Sequence, residues 1–167
     1  MIASSRSLGA SYGTSSQDGI VDPAHVTIAY RYNAATAAWV QIVTGNTVLP
    51  LEGILISSSQ AHTATLFIST VNIVPPTKAL SAGWNLVGTT PVLSSTTMAA
   101  DEALISVFST ASGLVGYNQV VSPSINTTTF SWTRGDTTGI PTLDRWKGYW
   151  VFMENADTMA GFSSTPF

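Results

Sequence analysis

Cysteine is absent from this 167-residue chain, which removes disulfide bonds, thiolate nucleophiles and cysteine-ligated metal sites from consideration. Charge is also scarce, since charged residues make up 9% of the sequence against about 25% in ordinary globular proteins. Six basic residues and a formal net charge of −3 leave no basic patch of the kind that binds nucleic acid. Apolar runs such as 148–153 are too short to cross a bilayer, so no membrane insertion is expected.

Sequence signatures of catalysis are missing as well. His25 and His62 are not spaced as metal ligands, and we interpret both as structural or surface residues. Asp136, Asp144 and Asp157 fall in predicted loops, where turn formation is a simpler interpretation than a glycosidase carboxylate pair. The sequence contains no nucleophile elbow, phosphate-binding loop or zinc motif. We therefore expect a protein that is not an enzyme and that holds no metal and no cofactor.

One spacing pattern occurs twice along the chain. In each copy a tryptophan precedes a glycine, and an alanine and a threonine follow that glycine by eight and ten residues. The two copies are Trp39, Gly53, Ala61 and Thr63, and then Trp132, Gly148, Ala156 and Thr158. The pattern predicts two related units. We assign residues 1–24 to an extended N-terminal segment, 25–79 to a first, incomplete β-unit and 80–167 to a second, complete β-unit.

Strand patterning dominates both units, because apolar and polar side chains alternate with a period of two and short turn signals separate the runs. One helix is predicted near residues 97–108, with Thr96 or Thr97 as its cap and Asp101 and Glu102 in its first turn. The sequence therefore predicts an all-β fold, an antiparallel sandwich or barrel built from two related units with one short helix.

The second unit carries a longer ordered set of motifs. They are Gly83-Trp84-Asn85-Leu86-Val87, the predicted helix, Tyr117-Asn118, Trp132, and Lys147-Gly148-Tyr149-Trp150-Val151. This order resembles a recurrent β-module of prokaryotic extracellular and surface-layer-type proteins, in which a "GWNLV" strand, a helix, a "YD…W" hairpin and a "GKGYWV" strand follow one another. The resemblance covers residues 80–162 well and 28–68 more loosely, and it departs at Leu55, where the family has an aromatic residue. It implies an extracellular, non-catalytic, structural or adhesive module.

The composition also favours the cell exterior, because serine and threonine occupy 44 of 167 positions and lysine is rare. The sequon at Asn126 lies in a long predicted hairpin tip, so we expect Asn126 to be glycosylated. Residues 1–20 lack the basic start and apolar stretch of a signal peptide. The chain is therefore expected to be already processed or to be exported by another route.

The first unit lacks a counterpart of the 83–88 strand, which predicts an open edge in its sheet. Leu8, Ala10 and Tyr12 alternate with small residues and could supply an extra strand. Our first hypothesis is a structural subunit of an extracellular filament or surface assembly. Its N-terminal strand adds to a neighbouring copy, with these three side chains at the subunit interface. The partner is then the chain itself, joined head to tail.

The alternative hypothesis is a monomeric carbohydrate-binding or adhesive module, in which the same strand folds back and exposed aromatic side chains bind glycans. Trp146 and Trp150 are four residues apart and therefore on the same face of a strand, which makes them candidate glycan-stacking residues. Trp84 and Trp132 are set in apolar strands, and we expect both in the core.

Overall fold

The structure is a computed structural model that describes residues 2–3, 26–43, 46, 48–49, 51–59, 76–89, 97–109, 115–123, 129–144 and 147–161. Within these residues the chain forms thirteen β-strands, one α-helix and one 3₁₀ turn. In chain order the strands are β1 (Ile2–Ala3), β2 (Val26–Asn33), β3 (Ala38–Gln41), β4 (Gly53–Ser58), β5 (Thr77–Leu80), β6 (Gly83–Val87), β7 (Thr97–Ala99), β8 (Phe108–Ser109), β9 (Val115–Val121), β10 (Ser131–Thr133), β11 (Thr142–Asp144), β12 (Tyr149–Met153) and β13 (Asp157–Ala160). Their pairings are all antiparallel, so the predicted all-β, antiparallel fold is confirmed.

The strands form two larger sheets with the same internal order. The first sheet runs β1-β4-β2-β3. Read in the corresponding direction, the second sheet runs β6-β12-β9-β10, with β8 also paired to β9. In the first sheet the hairpin β2–β3 pairs through β2 with β4, the strand that begins at the Gly53 of the repeated pattern. In the second sheet the hairpin β9–β10 pairs in the same way through β9 with β12, which follows Gly148. Two further pairs, β7–β11 and β5–β13, complete the described fold.

The centre of the second sheet shows why the sequence forms strands here. Along β12 the side chains of Tyr149, Val151 and Met153 are buried, while Trp150 and Phe152 are only half-buried. This alternation is the two-residue period of a strand with one face on the core. The inward-facing side chains join a core cluster whose described members come from residues 80–159 except for Leu51, so the second unit supplies most of this core.

The predicted helix is present but short. The helix α1 spans Ala100–Ala103, and a 3₁₀ turn spans Ile105–Val107. The predicted cap at Thr97 is wrong, because Thr97 lies in β7 opposite Asp144 of β11 and the N-cap residue is Ala99, without a side-chain hydrogen bond; Thr96 lies outside the described residues. The helix therefore begins only where the ladder to β11 ends. Asp101 and Glu102 do lie in its first turn, as predicted.

The two larger sheets meet at the end of β6. Val87 pairs with Tyr149 on one side and forms an isolated antiparallel bridge with Glu52 on the other. The backbone N–H of Gly88 donates a hydrogen bond to the Leu51 carbonyl oxygen at 2.9 Å. A Cβ atom on Gly53 would lie 2.7 Å from Cγ of Leu86, which is too close for any larger residue without movement. Glycine therefore permits the close approach of β4 to β6.

Candidate functional site

The N-terminal residues occupy one edge of the first sheet. Ile2 lies opposite Ile54 and Ala3 opposite Gly53 in an antiparallel ladder. In the first sheet β1 is thus the neighbour of β4, and in the second sheet β6 is the neighbour of β12. The N-terminal strand therefore lies where a counterpart of the Gly83–Val87 strand would lie.

The two edge strands differ in length. β6 pairs with all five residues of β12, whereas the described ladder between β1 and β4 joins two residues of a six-residue strand. The predicted interface residues Leu8, Ala10 and Tyr12 lie outside the described residues. The pairing of those three side chains, within the chain or between copies, stays a prediction.

A partly buried ionic group lies beside this edge. Glu52 is 7% exposed, and one of its oxygens, Oε1, lies 3.1 Å from Arg31 Nη1. Its other oxygen, Oε2, accepts a hydrogen bond from the backbone N–H of Leu49 at 3.0 Å. Burial lowers the pKa of Lys78; the charge of Glu52 opposes this shift and that of Arg31 adds to it. The paired carboxylate fixes the chain just before β4 and so positions the edge that β1 contacts.

Aromatic side chains gather on the outer surface where the two sheets adjoin. This aromatic cluster consists of Tyr30, Tyr32, Trp39, Trp84, Trp150 and Phe152. Trp150 is central, since its ring centroid lies 4.9 Å from Tyr32, 5.8 Å from Trp39 and 6.5 Å from Trp84. These neighbouring rings meet edge to face, an arrangement that aromatic pairs favour. The cluster joins residues from β2 and β3 to residues from β6 and β12.

Strand register explains how the cluster forms. Tyr32 lies directly opposite Trp39 in the β2–β3 hairpin, and Trp84 lies opposite Phe152 in the β6–β12 pair. Trp150 and Phe152 are two residues apart and so share the face of β12 that points away from the core. The outer faces of the two sheets therefore each contribute a set of rings.

The tryptophans only partly follow the sequence prediction. Trp132 is 6% exposed, which confirms its predicted place in the core, and its indole N–H donates a hydrogen bond to the Asp136 carbonyl oxygen at 3.3 Å. Trp84 is 37% exposed, so its predicted core position is wrong. The reason is its register opposite Phe152, which places it on the outer face. Trp150 belongs to the aromatic cluster, while its predicted companion Trp146 lies outside the described residues.

A shallow groove of about 330 Å³ opens on the aromatic cluster. Its lining residues, which define the aromatic groove, are Tyr32, Trp84, Val121 and Trp150. None of these side chains is charged. Tyr32, Val121 and Trp150 are half-buried, so packing between the sheets fixes the floor of the groove. The side chain of Trp84 is more exposed to solvent.

A larger cavity of about 710 Å³ lies beside α1. Its one cationic lining residue, Arg134, lies 5.0 Å from the ring centroid of Phe108 and 5.4 Å from that of Tyr117. The Arg134 Nη1 group also donates a hydrogen bond to the Val115 carbonyl oxygen at 3.1 Å. Burial, with the charge of Asp101 as a smaller contribution, raises the pKa of Tyr117 to about 12. The guanidinium thus packs against rings and backbone, which gives it a structural role.

Of the three aspartates predicted to lie in loops, Asp136 does so, whereas Asp144 is the last residue of β11 and Asp157 the first of β13. All three make local contacts. The backbone N–H of Asp136 donates to the Thr133 carbonyl oxygen, Asp144 forms an ion pair with Lys147, and Asp157 accepts a hydrogen bond from the Thr158 backbone N–H. Within the described residues no group of three His, Cys, Asp or Glu side chains could hold a metal ion. The histidines and Asn126 lie outside that part of the chain.

None of the helices among the described residues has the length and apolar character needed to span a membrane. Comparison with known proteins gives no relative, since no protein-family model matches the chain and no curated protein or solved structure matches it either. The resemblance to the surface-protein β-module therefore stays a prediction that rests on the motifs alone.

Proposed function

We propose that the protein is a structural subunit of an extracellular filament or surface assembly, joined head to tail by N-terminal β-strand addition. One observation carries the proposal. Ile2 and Ala3 form the edge strand next to β4 of their own chain, at the place that β6 occupies next to β12, and exchange requires that they leave this position. The first sheet thus takes this edge strand from residues that precede the unit in sequence rather than from a strand inside it, and exchange of an element between copies of one chain is a low-cost route to assembly.

The energetics favour a longer exchanged strand than β1. A backbone hydrogen bond contributes about 0.5–1.5 kcal/mol net, so the two described residues of this ladder by themselves hold β1 weakly. Burial of a large apolar side chain contributes about 1.5–3 kcal/mol. If Leu8 and Tyr12 insert into a neighbouring copy together with about six backbone hydrogen bonds, the junction gains more than about 6 kcal/mol before the entropy of association. In this arrangement the segment leaves its own β4 and pairs with that of the neighbour.

An extracellular location is part of the proposal. A hydroxyl-rich, charge-poor composition, the absence of cysteine from the sequence and the sequon at Asn126 support it. Mass spectrometry of native material tests the sequon directly, and an unmodified Asn126 would remove glycosylation from the proposal.

The decisive experiment compares polymer formation by matched variants, with electron microscopy and size-exclusion chromatography as readouts. We expect the Leu8→Asp/Tyr12→Asp variant, and a chain without residues 1–22, to remain folded but unpolymerised. The control is Ser7→Asp/Ser11→Asp, which adds the same charge to the opposite face of the predicted strand and is expected to polymerise. Filaments of native form from the Leu8→Asp/Tyr12→Asp variant, or a monomeric wild-type chain, would contradict strand exchange.

A further inference from the structure

We propose that the aromatic groove is a carbohydrate-binding site, in which Trp84, Trp150 and Tyr32 receive a neutral sugar ring. The inference does not depend on the N-terminal strand exchange proposed above. It rests on three properties of the aromatic cluster: exposed indole rings, indole donors without a protein acceptor among the described residues, and the lack of charge in the groove.

The first property is exposure. Trp39 is 44% exposed and Trp84 37% exposed, and both belong to one contiguous group of rings around Trp150. Single exposed apolar side chains are common on protein surfaces, whereas a contiguous exposed patch marks a surface that another molecule covers. The rings are held in place by the ladder pairs of two sheets, so the patch is preformed.

The second property is the state of the indole donors. In the core, Trp132 satisfies its indole N–H with the Asp136 carbonyl oxygen. In the described part of the chain the indole N–H groups of Trp39, Trp84 and Trp150 make no hydrogen bond to another protein group. A ligand that covers these rings must offer acceptors, since an indole N–H buried without a partner costs about 1–3 kcal/mol. An alkyl chain offers no acceptor.

The third property is the lack of charge. The four residues that line the aromatic groove are neutral, so a phosphorylated or carboxylated ligand would lose water there without gaining a counter-charge. A neutral pyranose combines an apolar C–H face, which packs on an aromatic ring, with hydroxyl groups that accept hydrogen bonds. A volume of about 330 Å³ is at the small end of ligand pockets, about 300–1,000 Å³. It therefore suits one or two sugar rings within a longer glycan.

The test uses the full chain and four soluble probes: hexasaccharides of β-1,4-glucose, α-1,4-glucose and β-1,4-N-acetylglucosamine, and an oligogalacturonate as the charged probe. Binding is measured by calorimetry and by tryptophan fluorescence. We expect at least one neutral probe to bind, and oligogalacturonate not to bind. Trp84→Ala and Trp150→Ala should each weaken binding by roughly tenfold or more, which corresponds to about 1.4 kcal/mol.

The matched control is Ile105→Ala. Ile105 is 55% exposed and lines the other cavity, so its loss removes exposed apolar surface without touching the aromatic groove. Circular dichroism establishes that each variant is folded, and Trp84→Ala keeps the test decisive if Trp150→Ala does not fold. The proposal is overturned if no neutral probe binds at about 10 mM, or if neither tryptophan variant weakens binding. It is also overturned if the wild-type chain instead self-associates through this surface, that is, if it forms a dimer that the Trp39→Ala substitution converts to monomer.

Discussion

The first and second units have the same strand order but complete their sheets by different means. In the second unit the edge strand β6 belongs to the unit itself and pairs along the whole of β12. In the first unit the edge strand comes from Ile2–Ala3, which precede the unit in sequence, and it pairs with only the start of β4 among the described residues. The difference shows that the same edge position can be filled by a strand of the unit itself or by a segment from outside the unit.

The repeated tryptophans show a second difference between the units. Trp132 lies opposite Val120, which is fully buried, while Trp39 lies opposite Tyr32 on an exposed face. The same position in the sequence pattern therefore supports the core in one unit and the aromatic cluster in the other. Strand register, rather than the residue type, determines which role each tryptophan has.

The largest expected effect comes from exchanging these two tryptophans for alanine. Trp132→Ala should lower the free energy of unfolding by about 3–5 kcal/mol, because it leaves a cavity in the core. Trp39→Ala should cost about 1 kcal/mol or less, because its side chain is already half in water. Urea unfolding monitored by circular dichroism measures both values. Equal losses would show that the two positions are equivalent after all.

The ion pairs of the two units allow a second comparison. Glu52→Gln keeps the shape of the side chain but removes the negative charge that lies 3.1 Å from Arg31 Nη1 in a largely buried site. We expect a loss of about 1.5–3 kcal/mol in the free energy of unfolding, typical of hydrogen bonds to charged groups. Asp144→Asn breaks the more exposed pair with Lys147 and should cost less than about 1 kcal/mol. The reverse order in urea unfolding would refute this assignment of the buried pair.

The smallest expected effect is an alkaline loss of stability that originates in the second unit. Burial raises the pKa of both Tyr117 and Tyr149 to about 12 from an ordinary value of 10.0. The unfolded chain therefore loses these protons first, so stability is fully present below pH 10 and falls as the pH rises towards 12. Lys78 has the opposite effect. Its pKa is lowered in the folded protein, so the folded chain releases this proton before the unfolded chain does, and stability increases as the pH approaches 10.5.

Tyr117→Phe isolates one of these contributions. At about pH 11 each tyrosine should account for about 1 kcal/mol of the loss, so the variant should lose less stability than the wild type between about pH 8 and pH 11. Urea unfolding at the two pH values gives the comparison. Identical pH dependence of the two proteins would indicate that Tyr117 ionises in the folded state as readily as in the unfolded chain.

The fold class was predictable because it depends on local alternation, which the sequence displays directly. The limits of the helix were not, because Thr97–Ala99 is drawn into a strand by residues 142–144, far along the chain. The position of Trp84 was missed for the same reason, since its outward face follows from pairing with β12. The aromatic cluster could not be predicted from the sequence, because it joins rings that are distant along the chain. One local signal was present, since Trp150 and Phe152 alternate with the buried side chains of β12 and so indicate a second apolar face.

The bridge between Glu52 and Val87 links the two units and would transmit a pulling force from one to the other. A pull on a strand paired with Gly53 and Ile54 acts along the strand axis, so the backbone hydrogen bonds of that ladder resist it together rather than one after another. From β4 the force passes at once to β6, through the Glu52–Val87 bridge and the hydrogen bond between Gly88 and Leu51. In a filament held together by the N-terminal strand, tension that reaches β4 would thus pass to β2, with which β4 is paired, and through the bridge to the fully paired second sheet.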